Sequence, residues 1–177
     1  MNKEVFENYP VPKALATMAL PTILSMIVLI FYNMADTFFV GQTGDPNQVA
    51  AVTVATPVFL ILMAVGNIFG VGGGSFISRL LGQGDGDKVK HVCSFCFYGC
   101  IIAGLMMMGI FLTFMTPILY SAGSSANTIG YAQDYMRYIA LGAVFIVLSN
   151  AFGNIIRSEG AAKYSMTGMM IGTAVNM

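Results

Sequence analysis

The chain has 177 residues, 56% of them hydrophobic and only 9% charged, where an ordinary soluble domain carries about a quarter charged. Eight basic and eight acidic residues cancel, so no global field recruits nucleic acid. With a mean hydropathy of +0.76, the composition argues against a soluble domain and for a helical protein within a bilayer.

In chain order, the charges cluster and leave long neutral runs. Residues 14–40 are interrupted only by Asp36, and residues 48–78, 92–133 and 138–156 carry no charge. A spanning helix needs about 20 apolar residues. The runs predict four complete helices, near 14–40, 50–77, 92–116 and 135–156. A buried helix in a soluble core imitates one such run, but four in succession between short polar loops do not fit that reading. A fifth run starts near Tyr164 and stops at Met177, too short to cross about 30 Å at about 1.5 Å per residue. The expectation is a piece of a longer protein, cut within helix five. Residues 1–13 would form a cytoplasmic segment. No cleavable signal peptide is expected, because the first apolar run is too long and contains Asp36.

Flanking basic residues set an expected topology. Lys3 and Lys13 precede helix one, Arg79, Lys88 and Lys90 follow helix two, and Arg157 and Lys163 follow helix four. The other side has Arg137 alone, with Asp45 and Asp134. The positive-inside rule then predicts a cytoplasmic N-terminus, with the loops at 41–48 and 117–133 facing outward.

Helix one carries the first candidate site. A carboxylate inside a bilayer costs about 2.5–3.5 kcal/mol even on lenient scales, so Asp36 needs partners and is a functional candidate. Asn33, Asp36 and Thr37 stand at i, i+3 and i+4 on one face, with Tyr32 one turn before Asp36. Hard oxygen ligands suit Na⁺, and a desolvated carboxylate favours proton uptake. The competing reading is a structural polar cluster that ties helix one to a neighbour.

Helix two carries Gly66, Gly70, Gly74, Ser78 and Gly82 at a spacing of four. The first four form a small-residue ridge that lets another helix approach closely. The stretch Gly70-Val71-Gly72-Gly73-Gly74-Ser75 is not a phosphate loop, since it lacks the Gly-Lys-Ser/Thr ending and a preceding strand. Pro21 and Pro57 lie inside helices one and two and can kink them, either as static bends or as parts of a moving transporter.

Cys93, Cys96 and Cys100 follow His91. Their spacing superficially suggests a metal site, but it is also one helix face, and small packing side chains account for it. No metal or other cofactor is expected. Helix four ends with Asn150, Gly153, Asn154 and Arg157, a polar stripe that either lines a cavity or glues helices. Depth places Asn150 away from Asp36 and makes Asn176 of helix five the better partner. The fourteen methionines and thirteen phenylalanines cover the remaining faces towards core and lipid.

Several stretches resemble one transporter family. Ala19-Leu20-Pro21-Thr22-Ile23-Leu24-Ser25-Met26 and Tyr32-Asn33-Met34-Ala35-Asp36-Thr37-Phe38-Phe39-Val40-Gly41-Gln42 resemble the opening of multidrug and toxic compound extrusion (MATE) transporters. Ser78-Arg79-Leu80-Leu81-Gly82-Gln83-Gly84-Asp85, Ile156-Arg157-Ser158-Glu159-Gly160 and residues 168–176 are similar to the family's loops after helices two and four and the start of its fifth helix. The branch with exporters of the MepA type is the most similar. The resemblance implies an all-α integral membrane fold, with residues 14–177 as most of the N-terminal lobe of a two-lobed bundle. It implies export of cationic, amphipathic compounds from a prokaryotic plasma membrane, coupled to inward Na⁺ or H⁺. By the same resemblance Asp36 and Asn176 match the family's coupling residues, and a further acid of helix five lies past Met177. The expected partners are membrane lipid, a small-molecule drug and a C-terminal lobe.

Three rivals stand beside this reading. A lipid-linked sugar flippase of the same superfamily would want a basic central cavity, and the spans hold no interior Lys or Arg apart from Arg137 at an edge. A membrane-embedded enzyme would need a catalytic pair, and the single histidine, His91, lies at a loop edge. An inert truncated fragment is the third.

Overall fold

A computed structural model describes the backbone of residues 10–42 and 44–176, and the side chains there except those of Asn33, Asp36, Thr37, Val40 and Asn176. Among the described residues the regular structure is helical. The elements are α1 (Val11–Gly41), α2 (Pro46–Gly82), α3 (Gly86–Thr113), α4 (Met115–Ser121), α5 (Ile129–Leu141), α6 (Ala143–Ser158) and α7 (Ala162–Asn176).

Local chemistry sets the ends of these helices. Asp45 opens α2, its side chain accepting the Asn47 N–H at 2.9 Å. Pro46 follows at the first helical position, where a missing N–H costs nothing. At the far end of α2, Gly84 takes a φ of +76°, which a side chain would resist. The N–H groups of Gly84 and Asp85 then bond back to the carbonyls of Leu81 and Leu80, both at 3.1 Å, and satisfy the last orphan acceptors. Gly160 closes α6 in the same way: its N–H reaches Arg157 O at 3.0 Å and that of Ala161 reaches Ile156 O at 3.1 Å. Asp85 also opens α3, accepting the Lys88 N–H at 3.2 Å.

Val11–Tyr32, Pro46–Gly82 and Gly86–Thr113 are each long and apolar enough to cross a membrane. The fourth expected crossing differs from the sequence expectation. Rather than one helix over 135–156, the chain forms α5 and α6, bent by 56° at Gly142. The expected loop at 117–133 is also mostly helical, since α4 occupies its start and α5 begins at Ile129. By contrast, α1 and α2 are assigned as single helices through Pro21 and Pro57.

Three helices form the dense centre: α2, α3 and α6 pack on one another more extensively than the rest. Facing residues give their directions. Along α2, Gly66, Gly70 and Gly74 meet Val147, Ala151 and Ser158 in turn, so α2 and α6 run parallel. Gly73 faces Cys96 while Phe69 faces Gly99, so α3 runs antiparallel to α2. The core joins Val58 and Leu62 of α2, Cys100 and Phe111 of α3, Met136 and Ala140 of α5, and Val147 and Ala151 of α6. α1 and α7 pack against each other at the side of this centre, and α7 is tied to α6 where Ser165 Oγ donates to Gly153 O at 3.1 Å.

Candidate functional site

The seam between α2 and α6 is built on glycine. A Cβ on Gly70 would lie 2.9 Å from Ala151 Cα and 3.0 Å from Ala151 O, both backbone atoms. One on Gly66 would meet Val147 O at 3.0 Å, and one on Gly74 would meet Ser158 Oγ at 2.9 Å. The two backbones are closer than any larger residue allows. In a bilayer, where lipid is as apolar as leucine, such close packing is a principal source of helix association.

Close approach brings polar side chains within bonding distance. Asn150 Nδ2 donates to Met63 O at 2.7 Å and to Asn67 Oδ1 at 3.2 Å. Asn154 Nδ2 donates to the same Asn67 oxygen at 3.1 Å and to Asn150 O at 3.0 Å. Arg157 Nη1 reaches Asn154 Oδ1 at 3.5 Å. Ser78 Oγ then donates to Ser158 O at 3.0 Å, one turn further along. The result is a polar track beside the glycine ridge. Asn67 is exposed and Asn150 and Asn154 are half-buried, so the track borders open space rather than sitting in the core.

Asn67 was not singled out from sequence. A signal existed: it is the only amide side chain between Gln48 and Gln83, in a run over 49–78 that is otherwise apolar or small. An amide at that depth needs partners.

The helix-one candidates fall differently. Asn33, Asp36, Thr37 and Asn176 have side chains outside the described residues. Their backbones place the first three near the C-terminal end of α1 and Asn176 at the end of α7, on two helices that pack together. Tyr32 is half-buried. Further down α1, Pro21 and Ser25 are buried, and Ser25 Oγ donates to the Pro21 carbonyl at 2.8 Å.

The cysteine face of α3 is packing. Cys96 and Cys100 are buried, and Cys96 Sγ lies against Gly73 and within 3.7 Å of Phe69 O. Cys93 Sγ sits 3.7 Å from Glu159 Oε1 at the end of α6. Among the described residues no three His, Cys, Asp or Glu side chains are grouped to hold a metal ion.

Long apolar helices, a glycine seam and a polar track along it define a polytopic helical membrane protein. The MatE family model matches residues 21–177, and the chain belongs to that family. It is 36% identical over 172 residues to the multidrug export protein MepA of Staphylococcus aureus, and 34% identical over 174 residues to MepA of Staphylococcus saprophyticus. Each match covers 97% of this chain and 38% of the relative, so the chain spans well under half the length of these proteins. Among solved structures, it superposes on a MOP superfamily transporter from Pyrococcus furiosus with a TM-score of 0.90 at 29% identity, over 98% of this chain and 38% of that one. A multidrug resistance MATE family transporter in an outward-facing conformation gives a TM-score of 0.87 at 30% identity, over 93% and 36% of the two chains.

Proposed function

We propose that this chain is the N-terminal lobe of a secondary antiporter that exports cationic, amphipathic compounds in exchange for Na⁺ or H⁺. The observation that carries the reading is membership of the MatE family, with 36% identity to a multidrug export protein over 97% of the chain. Asp36, with Asn33 and Thr37 on its face of helix one and Asn176 on the adjoining helix, is the proposed coupling site. The polar track of Asn67, Asn150 and Asn154 is the proposed cavity wall on the α2–α6 side.

The mechanism follows from charge. An ionised Asp36 resists closure of an apolar cavity over it, and a bound cation or proton removes that cost. Coupling requires the cation to bind one state of the lobe more tightly than the other, because equal affinity shifts nothing. A drug that favours the opposite state then exchanges with it.

The test is ethidium efflux from cells that express the whole protein, wild type against Asp36→Asn, with Na⁺ and pH varied independently. The expected result is loss of efflux in a variant that still inserts, and wild-type efflux that tracks one of the two cations. Undiminished efflux by Asp36→Asn removes Asp36 from the mechanism, and no efflux by well-expressed wild type removes the export reading.

A further inference from the structure

The exposed side of the broken crossing changes character along its length. On α5 the outward residues are Tyr131, Asp134, Tyr135, Arg137 and Tyr138. At the bend and just past it they become Leu141, the last residue of α5, and Phe145 of α6. Tyr138 and Phe145 are 76% and 75% exposed, so neither is part of the core. The opposite side of α5 is committed: Ala132, Met136 and Ala140 are fully buried against α2 and α3. α5 is therefore fixed in orientation, with its tyrosines turned outward.

Lengths place this change of character in the bilayer. Arg157 marks the charged end of α6. From there to Gly142 the helix rises about 23 Å at about 1.5 Å per residue. The hydrocarbon core is about 30 Å thick, which leaves about 7 Å. α5 leaves α6 at 56°. Along the axis of α6 it therefore climbs only about 0.8 Å per residue, and the last 7 Å take about nine residues. The hydrocarbon edge then crosses α5 near Asp134 and Tyr135. Four of the chain's eight tyrosines, at 120, 131, 135 and 138, fall between α4 and α5, around that edge.

We infer that α5 lies obliquely at the membrane–water interface opposite the Arg157 end, with Tyr131, Tyr135 and Tyr138 against phospholipid headgroups and upper acyl chains. Tyrosine suits that position because its ring is apolar and its hydroxyl is wet. Arg137 reaches outward to the headgroups along its aliphatic stem. The bend at Gly142 is what turns the tyrosine face into the interface plane. Phe145, beyond the bend, meets acyl chains alone.

The chain contains no tryptophan, so each Tyr→Trp change adds an indole whose signal is read as the difference from the parent protein. The experiment uses the whole protein in vesicles, with Tyr131→Trp, Tyr135→Trp, Tyr138→Trp and Phe145→Trp made singly. Quenchers are lipids brominated near the headgroup, lipids brominated near the chain end, and acrylamide in water. The expected result is quenching of the α5 positions about twofold stronger by the shallow bromines than by the deep ones, with the reverse order at Phe145→Trp. Quenching at α5 by acrylamide without bromine overturns the inference and points to a water-filled vestibule. Quenching by neither also overturns it, since the face is then covered by protein. The aromatic replacements are conservative, and three independent α5 positions keep the outcome decisive if one of them fails to fold.

Discussion

Asn67 and Asn154 are 87 residues apart in sequence and joined in space, Asn154 Nδ2 donating to Asn67 Oδ1 at 3.1 Å across the seam of α2 and α6. The same Asn67 oxygen takes the Asn150 amide at 3.2 Å, so one acceptor clamps two successive turns of the facing helix. The clamp is possible because Gly66 and Gly70 hold the backbones close.

A double-mutant cycle on Asn67 and Asn150 measures the clamp. Interhelical hydrogen bonds in membranes are worth about 0.6 kcal/mol on average and at most about 1.7. Asn150→Ala removes the bonds to Asn67 Oδ1 and to Met63 O, and Asn67→Ala removes the acceptor shared by Asn150 and Asn154, so the two single variants are expected to cost similar amounts. Unfolding in mixed micelles should give a coupling of about 0.5–1.5 kcal/mol. Strictly additive single and double variants would mean that the bond contributes nothing to stability.

Glycine positions on α2 separate by contact. Gly70→Ala presses a methyl into the Ala151 backbone and is expected to cost about 1–3 kcal/mol. Gly72→Ala, two residues away, meets nothing within 4 Å, and it should be neutral or stabilise by up to about 1 kcal/mol, since alanine is the better helix former. Melting temperatures in detergent distinguish the two, and equal shifts would contradict the close seam.

Asp85 adds a pH-dependent contribution at the start of α3. Its carboxylate pairs with Lys88 Nζ at 2.6 Å and caps α3. The hydrogen bond from the Lys88 side chain, reinforced by the Lys88 backbone N–H, holds the Asp85 carboxyl below its ordinary range. A lowered carboxyl pKa stabilises the folded chain fully above the ordinary value and loses that contribution as pH falls through the lowered one. Following the Asp85 carboxyl carbon by NMR should show titration below that of an unstructured aspartate. High salt should move it back upward, because the pair is exposed and screened. A salt-independent titration at the ordinary value would mean that the pair does not form in solution.

The crossings were legible because charge is so costly in lipid that its absence over 48–78 or 92–113 marks a span directly. The bend at Gly142 was not, because a glycine within an apolar run is compatible with a straight helix. The 56° angle to α6 shows that α5 follows its own axis, and nothing in the local sequence sets that angle. The four-residue spacing of Gly66, Gly70 and Gly74 was plain, but not the helix that would fill the ridge. That partner is α6, four helices along rather than the next, and no local pattern encodes it. Asn67 stands out in the sequence as a lone amide, but its partners do not, since they are Asn150 and Asn154, more than eighty residues later.

The parallel pairing of α2 with α6 has a consequence for biogenesis. Ser78 and Ser158, bonded at the end of the seam, are 80 residues apart. At about 5–20 residues per second, the ribosome needs on the order of 4–16 s to supply the second after the first. Through that interval the glycine ridge of α2 has entered the membrane without the helix it was shaped to receive. Assembly of this lobe is therefore paced by translation, and a slow stretch of codons between α3 and α6 would lengthen the time in which a nascent ridge can pair with the wrong helix.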